Sequence, residues 1–184
     1  MQNASNLYFI ALLPPMEIAE EVTQIKRDFA NNHGSCAALK SPPHVTLQPP
    51  FERSNEEVEL LKVCLQEFVG GYAPVPITLS GFGAFPPRVI YVDVVKTPEL
   101  MALQSGLAAY LEANVAWVDP RNRSRPFSPH MTVAFRDLKR EAFQRAWSEF
   151  EDRSLYFEFT ASYLTLLSHN GQRWEIETEF PLHL

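Results

Sequence analysis

The sequence predicts an α+β fold of two similar halves, a bilobal and duplicated arrangement, on three observations. A short phrase is used twice: Ser41-Pro42-Pro43-His44-Val45-Thr46-Leu47 recurs as Phe127-Ser128-Pro129-His130-Met131-Thr132-Val133, with the histidines 86 residues apart. Around each copy, apolar runs rich in strand formers alternate with amphipathic helical stretches, two helices to each half. No low-complexity segment or evident linker divides the 184 residues, a length that suits one sizeable core or two small lobes sharing one. We therefore expect a single domain over residues 1–184.

Asn6 to Leu13 is a compact apolar run closed by Pro14-Pro15, which reads as a buried strand. Ile18, Val22, Ile25 and Phe29 then fall at helical spacing, and Asn31-Asn32-His33-Gly34 supplies a stop. Cys36 to Lys40 reads as a short strand, and Pro42-Pro43 forces extended backbone just before His44. Ser54-Asn55-Glu56-Glu57 has the form of a capping box, opening a second helix with Val58, Leu61, Leu65 and Phe68 on one face and Gly70-Gly71 at its end.

Val75 to Ser80 and Val89 to Val95 read as strands separated by the stretch Gly81 to Arg88. A third helix is expected from Pro98 to about Asn114, with Leu100, Leu103, Leu107 and Leu111 along one face. The polar basic stretch from Asp119 to Pro126 leads into the second phrase. Lys139 to Glu151 reads as a fourth helix, and Leu155 to Ser168 with Arg173 to Phe180 as a closing hairpin turned at His169-Asn170-Gly171.

Composition limits what such a chain can do. Hydrophobic residues make up 46% and charged residues 21%, the balance of an ordinary soluble globular protein. A net charge of −6 argues against coating long nucleic acid through its phosphates, although a small or end-bound anion is compatible with local positive charge. Cys36 and Cys64 have neither metal nor redox spacing and make no disulfide framework, so a reducing cytoplasm is the simplest compartment. The apolar N-terminal run lacks a basic leader and is too short to span a bilayer, and no membrane association is expected.

The repeated phrase carries the chemistry. Alternate side chains of a strand share a face about 6.6 Å apart, so each phrase shows an imidazole and a hydroxyl on one side. Val45 and Leu47, or Met131 and Val133, turn to the other side and into a core. Two such strands side by side would place two histidines and two threonines around one pocket. Histidine titrates nearest neutrality, so a pair can divide into base and acid. Phosphodiester cleavage by water needs that division: one imidazole takes a proton from the water and the other gives one to the departing ribose oxygen. Each threonine can donate its hydroxyl hydrogen to a non-bridging phosphate oxygen. Such a site requires no metal, and neither phrase has the extra carboxylates or histidines that a metal centre would want.

These paired signatures, each preceded by proline, resemble those of the 2H phosphoesterase superfamily, in particular the 2′-5′ RNA ligase-like (LigT-like) proteins. Leu79 to Phe85 followed by Pro87-Arg88-Val89-Ile90-Tyr91 is similar to the family's glycine-phenylalanine turn and Pro-Arg-apolar strand. Leu164 to Ser168, Trp174-Glu175 and Phe180-Pro181-Leu182 resemble its closing hairpin, so nearly the whole chain is covered. The resemblance implies two antiparallel sheets facing a central cleft with helices packed on the outside. It also implies catalytic roles for His44 and His130 and phosphate-binding roles for Thr46 and Thr132. The implied activity is opening of 2′,3′-cyclic phosphates on RNA 3′ ends or small cyclic nucleotides, leaving a 2′-phosphate, with no cofactor. Ligation to 2′,5′ linkages, or cleavage of 2′,5′-oligoadenylate, shares the same phosphate chemistry, and from a different class a non-catalytic RNA-binding module remains as an alternative. A monomer is expected.

Members of the family often follow the second signature with alanine and arginine, whereas here Phe135 intervenes before Arg136. Even spacing in a continued strand would keep Arg136 on the face of His130 and Thr132. Arg121, Arg123 and Arg125 either hold RNA phosphates or the substrate's distal phosphate, or form a solvated loop, and on the first reading the His130 half grips more of the substrate's charge. Arg88 is expected in a structural or cleft-lining place. Phe51, Phe85 and Phe127 are candidates for stacking on a base, Phe127 foremost, with core packing the alternative for each. His33, His169 and His183 are expected at the surface, and Tyr91, Trp117, Trp147 and Trp174 give no signal beyond packing.

Overall fold

A computed structural model describes residues 5–115 and 126–184. Its elements run β1 (Ser5–Leu12), α1 (Met16–His33), a 3₁₀ turn (Ala37–Lys40), β2 (Val45–Ser54), α2 (Asn55–Val69), β3 (Val75–Phe85), β4 (Val89–Val94), α3 (Pro98–Asn114), β5 (His130–Ala134), α4 (Arg140–Phe150), β6 (Tyr156–Ala161), β7 (Tyr163–His169) and β8 (Trp174–Pro181). The strands form two antiparallel four-stranded sheets, ordered β2-β1-β7-β8 and β5-β4-β3-β6. This is the expected α+β architecture. The two phrase-bearing strands are the edges of their respective sheets, and β2 and β5 lie against each other.

Helix boundaries follow local chemistry. Ser54 caps α2 with a full capping box, its hydroxyl accepting from the Glu57 N–H while the Glu57 carboxylate accepts from the Ser54 N–H. Thr97 caps α3 by accepting from the Leu100 N–H, and Leu100, Leu103, Leu107 and Leu111 are all buried as their spacing predicts. Gly34, at φ 69°, ends α1 in the left-handed region that glycine enters without steric cost. A single cluster of buried side chains takes in Ile10, Val22 and Leu65 from the first half and Leu79, Val92 and Met131 from the second. No helix among the described residues is long and apolar enough to cross a membrane.

Three expectations are corrected. Cys36 to Lys40 is not a strand but a 3₁₀ turn, because Asp137, just beyond β5, caps it across the molecule. One Asp137 carboxylate oxygen accepts from the Ser35 hydroxyl (2.8 Å) and the other from the N–H groups of Cys36 (2.8 Å) and Ala37 (2.9 Å). The two strands are separated only by Pro86 to Arg88, not by the whole stretch from Gly81. β3 continues to Phe85 through a bulge between Leu79 and Phe82, where Gly81 takes φ 71° and gives its N–H to the Leu155 carbonyl. Leu155 to Ser168 is not one hairpin arm. It divides at Ser162 into β6, which pairs with β3, and β7, which pairs with β1, so the chain changes sheets there.

Bulges also shape the phrase-bearing strands. From Tyr8↔Phe51 to Ile10↔Gln48, β1 advances two residues and β2 three, so the extra residue falls at Pro49-Pro50. Prolines without an N–H are tolerated there because β2 is an edge strand. In β5 the register slips between Thr132 and Ala134, and Val133 and Ala134 are both fully buried. Parity therefore no longer fixes the face on which Phe135 and Arg136 fall. Gln104 of α3 joins the halves a second time, donating to the Leu47 carbonyl on β2 at 3.4 Å.

Asp137→Ala should destabilise the protein by about 1–3 kcal/mol, because it releases three donors that a charged acceptor now satisfies at a partly exposed site. Urea unfolding measures this; an unchanged midpoint would show that the clasp does not hold the 3₁₀ turn.

Candidate active site

Both phrases deliver their histidines in the same way. The residue before a proline is restricted to extended backbone, which applies to Pro42 before Pro43 and Ser128 before Pro129. The carbonyl of that residue then meets the imidazole two positions on. His44 Nδ1 lies 2.7 Å from the Pro42 oxygen, and His130 Nδ1 lies 2.7 Å from the Ser128 oxygen. A carbonyl only accepts, so Nδ1 carries the hydrogen in both rings and each neutral imidazole keeps its lone pair on Nε2. The apolar partners face away as expected: Val45, Met131 and Val133 have no exposure and Leu47 has 2%.

The cleft comprises two adjoining cavities that share Thr46 and Pro50. One, of about 480 Å³, brings together His44, Thr46 and Thr132. The other, of about 640 Å³, is lined by His130 and Thr46 with Phe85, Phe127 and Gln104. Each histidine also leans on aromatic rings of its own sheet. His44 lies 4.7 Å from the Phe9 ring of β1, which meets Trp174 of β8 edge-on at 4.7 Å. His130 lies 5.1 Å from both Phe85 and Tyr91, whose rings are themselves 4.6 Å apart. Tyr91 in turn rests over Gly83, where any Cβ would run into its ring, which is why a glycine is needed in this part of β3.

The surroundings give the two imidazoles different proton affinities. Burial pushes His44 down from 6.5 to about 4, and the positive charges of Lys26 and His130 add to the shift, although its hydrogen bond to Pro42 opposes it. Burial also lowers His130, but there the Ser128 hydrogen bond pulls back upward, together with the Asp93 carboxylate opposite it in the β4–β5 register. His44 is the better holder of a lone pair and His130 the readier to carry a proton.

Lys26 gives no signal in the sequence. It sits in α1 among the apolar positions with 1% exposure, and its ammonium donates to the Ser41 carbonyl at 3.0 Å. Desolvation brings its pKa down to about 7. It holds the approach to His44 from behind while its charge opposes protonation of that ring.

Other candidates are distributed unevenly. Arg136 does line the His44-side cavity, but not by strand alternation: the β5 bulge breaks the parity and Arg136 stands in a turn at φ 59°. Phe127 and Phe85 line the His130-side cavity, whereas Phe51, 7% exposed, belongs to the core. Arg88 is exposed in the β3–β4 turn and lines neither cavity. Arg121, Arg123, Arg125 and Trp117 lie outside the described residues. His33 is not a surface side chain: only 6% of it is exposed, its Nε2 is 3.3 Å from Glu149 and its ring is 5.4 Å from Phe29. His169 and Trp174 also depart from expectation. Both line the His44-side cavity, brought there by the change of sheet at Ser162 that pairs β7 with β1.

Comparison with known proteins identifies the family and the fold. The profile of the 2′-5′ RNA ligase superfamily matches residues 14–173. A candidate phosphoesterase of Geobacillus kaustophilus is 26% identical over 177 residues, 94% of each chain. Escherichia coli LigT, crystallised with ATP, superposes with a TM-score of 0.69 at 20% identity, covering 98% of this chain and 100% of that one. A protein of Thermus thermophilus superposes with a TM-score of 0.68 at 22% identity, covering 96% and 97%.

Lys26→Met should raise the pKa of His44 above about 4, since the lysine is charged at that pH and its removal relieves the repulsion. An NMR titration of the His44 Cε1–H measures it; an unchanged or lower value would show that Lys26 does not act on this ring.

Proposed function

The chain belongs to the 2′-5′ RNA ligase superfamily and is an enzyme of the phosphoesterase or ligase-like kind; from that premise we propose that it opens 2′,3′-cyclic phosphates to 2′-phosphates by acid and base catalysis between His44 and His130. The observation that carries this reading is the matched pair of carbonyl-held imidazoles, each with Nε2 left for the cleft, beside two threonine hydroxyls.

In this mechanism His44 Nε2 takes a proton from the attacking water as its oxygen bonds to phosphorus. The bond from phosphorus to the ribose 3′ oxygen breaks, and that oxygen leaves with the proton from His130 Nε2. The phosphate remains on the 2′ oxygen, and the two imidazoles end with their protons exchanged. Thr46 and Thr132 donate to the non-bridging oxygens, where charge accumulates in the transition state. Assigning the base to His44 follows from its lower proton affinity in the free protein. Run backwards from a 2′-phosphate or with a ribose hydroxyl in place of water, the same groups serve the transfers that relate this reaction to ligation.

His44→Ala and His130→Ala should each lower turnover of 2′,3′-cyclic AMP or of an oligonucleotide ending in a cyclic phosphate by about 10³-fold or more, with circular dichroism unchanged. Thr46→Val and Thr132→Val should each cost about 10²-fold. Treatment with EDTA should leave the rate unaltered. Full activity in either histidine variant, or a 3′-phosphate product, would overturn the mechanism.

The pH dependence has a defined sign. The rate climbs as pH rises through the His44 value, about 4, because the base must be neutral. It falls as pH passes the His130 value, which lies below 6.5, because the acid must hold its proton. A plot of kcat/KM against pH should therefore be a bell with its maximum acid of 6.5, and binding of the phosphate anion should move the kcat profile to higher pH. A single-limbed curve would contradict the division of roles.

A further inference from the structure

The His44-side cavity holds more positive character than scissile-phosphate chemistry uses. Besides His44 and the threonines it is lined by Lys40, Arg136, His169 and Trp174, and among the described residues no carboxylate lines it, in a chain whose net charge is −6. Lys40 and Arg136 are exposed, and among the described residues neither is in an ion pair. They come from unrelated places: Lys40 from the end of the 3₁₀ turn that Asp137 caps, Arg136 from the turn immediately before Asp137. The carboxylate is fully used on Ser35, Cys36 and Ala37, so the clasp that gathers the two cations into one wall does not neutralise them.

His169 adds a neutral donor. Its Nδ1 accepts the Gly171 N–H at 3.1 Å, so its hydrogen sits on Nε2, the reverse of the tautomer in His44 and His130. An imidazole locked in that way is unsuited to taking a proton at Nε2 but suited to donating to an anionic oxygen. Beside it, Trp174 meets the His169 ring edge-on at 4.9 Å and the Phe9 ring at 4.7 Å, forming an aromatic wall between the donor and His44.

We infer that the wall of this cavity formed by Lys40, Arg136 and His169 Nε2–H is a subsite for a second phosphate group of the substrate, with the attached nucleoside against Trp174. The inference rests on the reading of the cleft as a cyclic phosphodiesterase site and names the substrate class within it. The substrate is a nucleotide or oligonucleotide end carrying a phosphate in addition to the cyclic one, rather than a bare nucleoside cyclic phosphate. A terminal 5′-phosphate and an internucleotide phosphodiester offer the same anionic oxygens.

The test compares three substrates on one enzyme: adenosine 2′,3′-cyclic phosphate, its 5′-phosphorylated form, and the dinucleotide ApA ending in a 2′,3′-cyclic phosphate. The wild-type enzyme should favour one or both of the two longer substrates in kcat/KM by at least about tenfold over the bare nucleoside, and that preference should shrink as salt rises. Which of the two gains identifies the source of the second phosphate. In Lys40→Gln combined with Arg136→Asn, the preference should collapse toward unity. Asparagine is chosen because it tolerates the left-handed backbone at position 136. Arg136→Lys should retain part of the preference, a partial rescue that structural damage would not produce. Equal kcat/KM on all three substrates, or a preference undiminished in the double variant, would overturn the subsite. Absence of turnover on all three would instead overturn the phosphodiesterase reading on which it rests.

Discussion

A hydrogen bond from an imidazole Nδ1–H to the carbonyl two residues upstream orients both histidines that carry the proposed mechanism. It is made twice, at His44 and His130, by the same means: proline at the intervening position keeps the preceding residue extended, and that residue's carbonyl is thereby placed for the ring. The bond selects the tautomer, fixes the ring plane and leaves one nitrogen for a proton transfer. By itself it does not make a site. His183 forms the same contact with the Pro181 carbonyl at 2.7 Å, yet stands exposed. What separates His44 and His130 from it is their setting at the junction of two sheet edges, where burial lowers their proton affinity and threonines share the cavities.

Two similar halves do not produce two equivalent histidines. A buried ammonium stands behind His44, while a carboxylate faces His130 across the β4–β5 pair. In the proposed mechanism, unlike fields on like geometries divide one repeated phrase into a base and an acid. Burying Lys26 carries a desolvation cost, visible in its lowered proton affinity, and the gain is a stiff approach to His44 and a ring kept neutral. The Asp137 clasp acts on the same loop from the opposite half, so the segment from Ser35 to Ser41 is held at both ends.

Much of this is legible in local sequence. The α2 capping box, the leucine stripe of α3 and the buried faces of both phrases depend on residues within a few positions of each other, and the kinship of the two phrases is legible because the same local pattern recurs. The illegible features depend on distant partners. Nothing in Cys36 to Lys40 announces that Asp137, a hundred residues away, will cap it into a 3₁₀ turn. The strand change at Ser162 and the bulge at Gly81 are settled by which strands become neighbours, and with them the placement of His169 and Trp174. Arg136 reaches the cleft for a reason other than the one parity offers. The expected concentration of charge near His130 rests on a loop outside the described residues, and among those described the cationic lining is on the His44 side.

The proposed division of labour between the imidazoles is tested most directly by the tautomeric state of the three cleft histidines, read from long-range ¹H–¹⁵N correlation spectra of the labelled protein in mildly alkaline buffer. The expected result is Nδ1–H for both His44 and His130 and Nε2–H for His169, so that one spectrum contains both patterns. Finding the hydrogen on Nε2 in His44 would contradict the assigned roles, because a base held in that form has no lone pair to offer the cleft, and finding it there in neutral His130 would contradict the shared carbonyl contact, because Nδ1 would then face the Ser128 oxygen without a hydrogen.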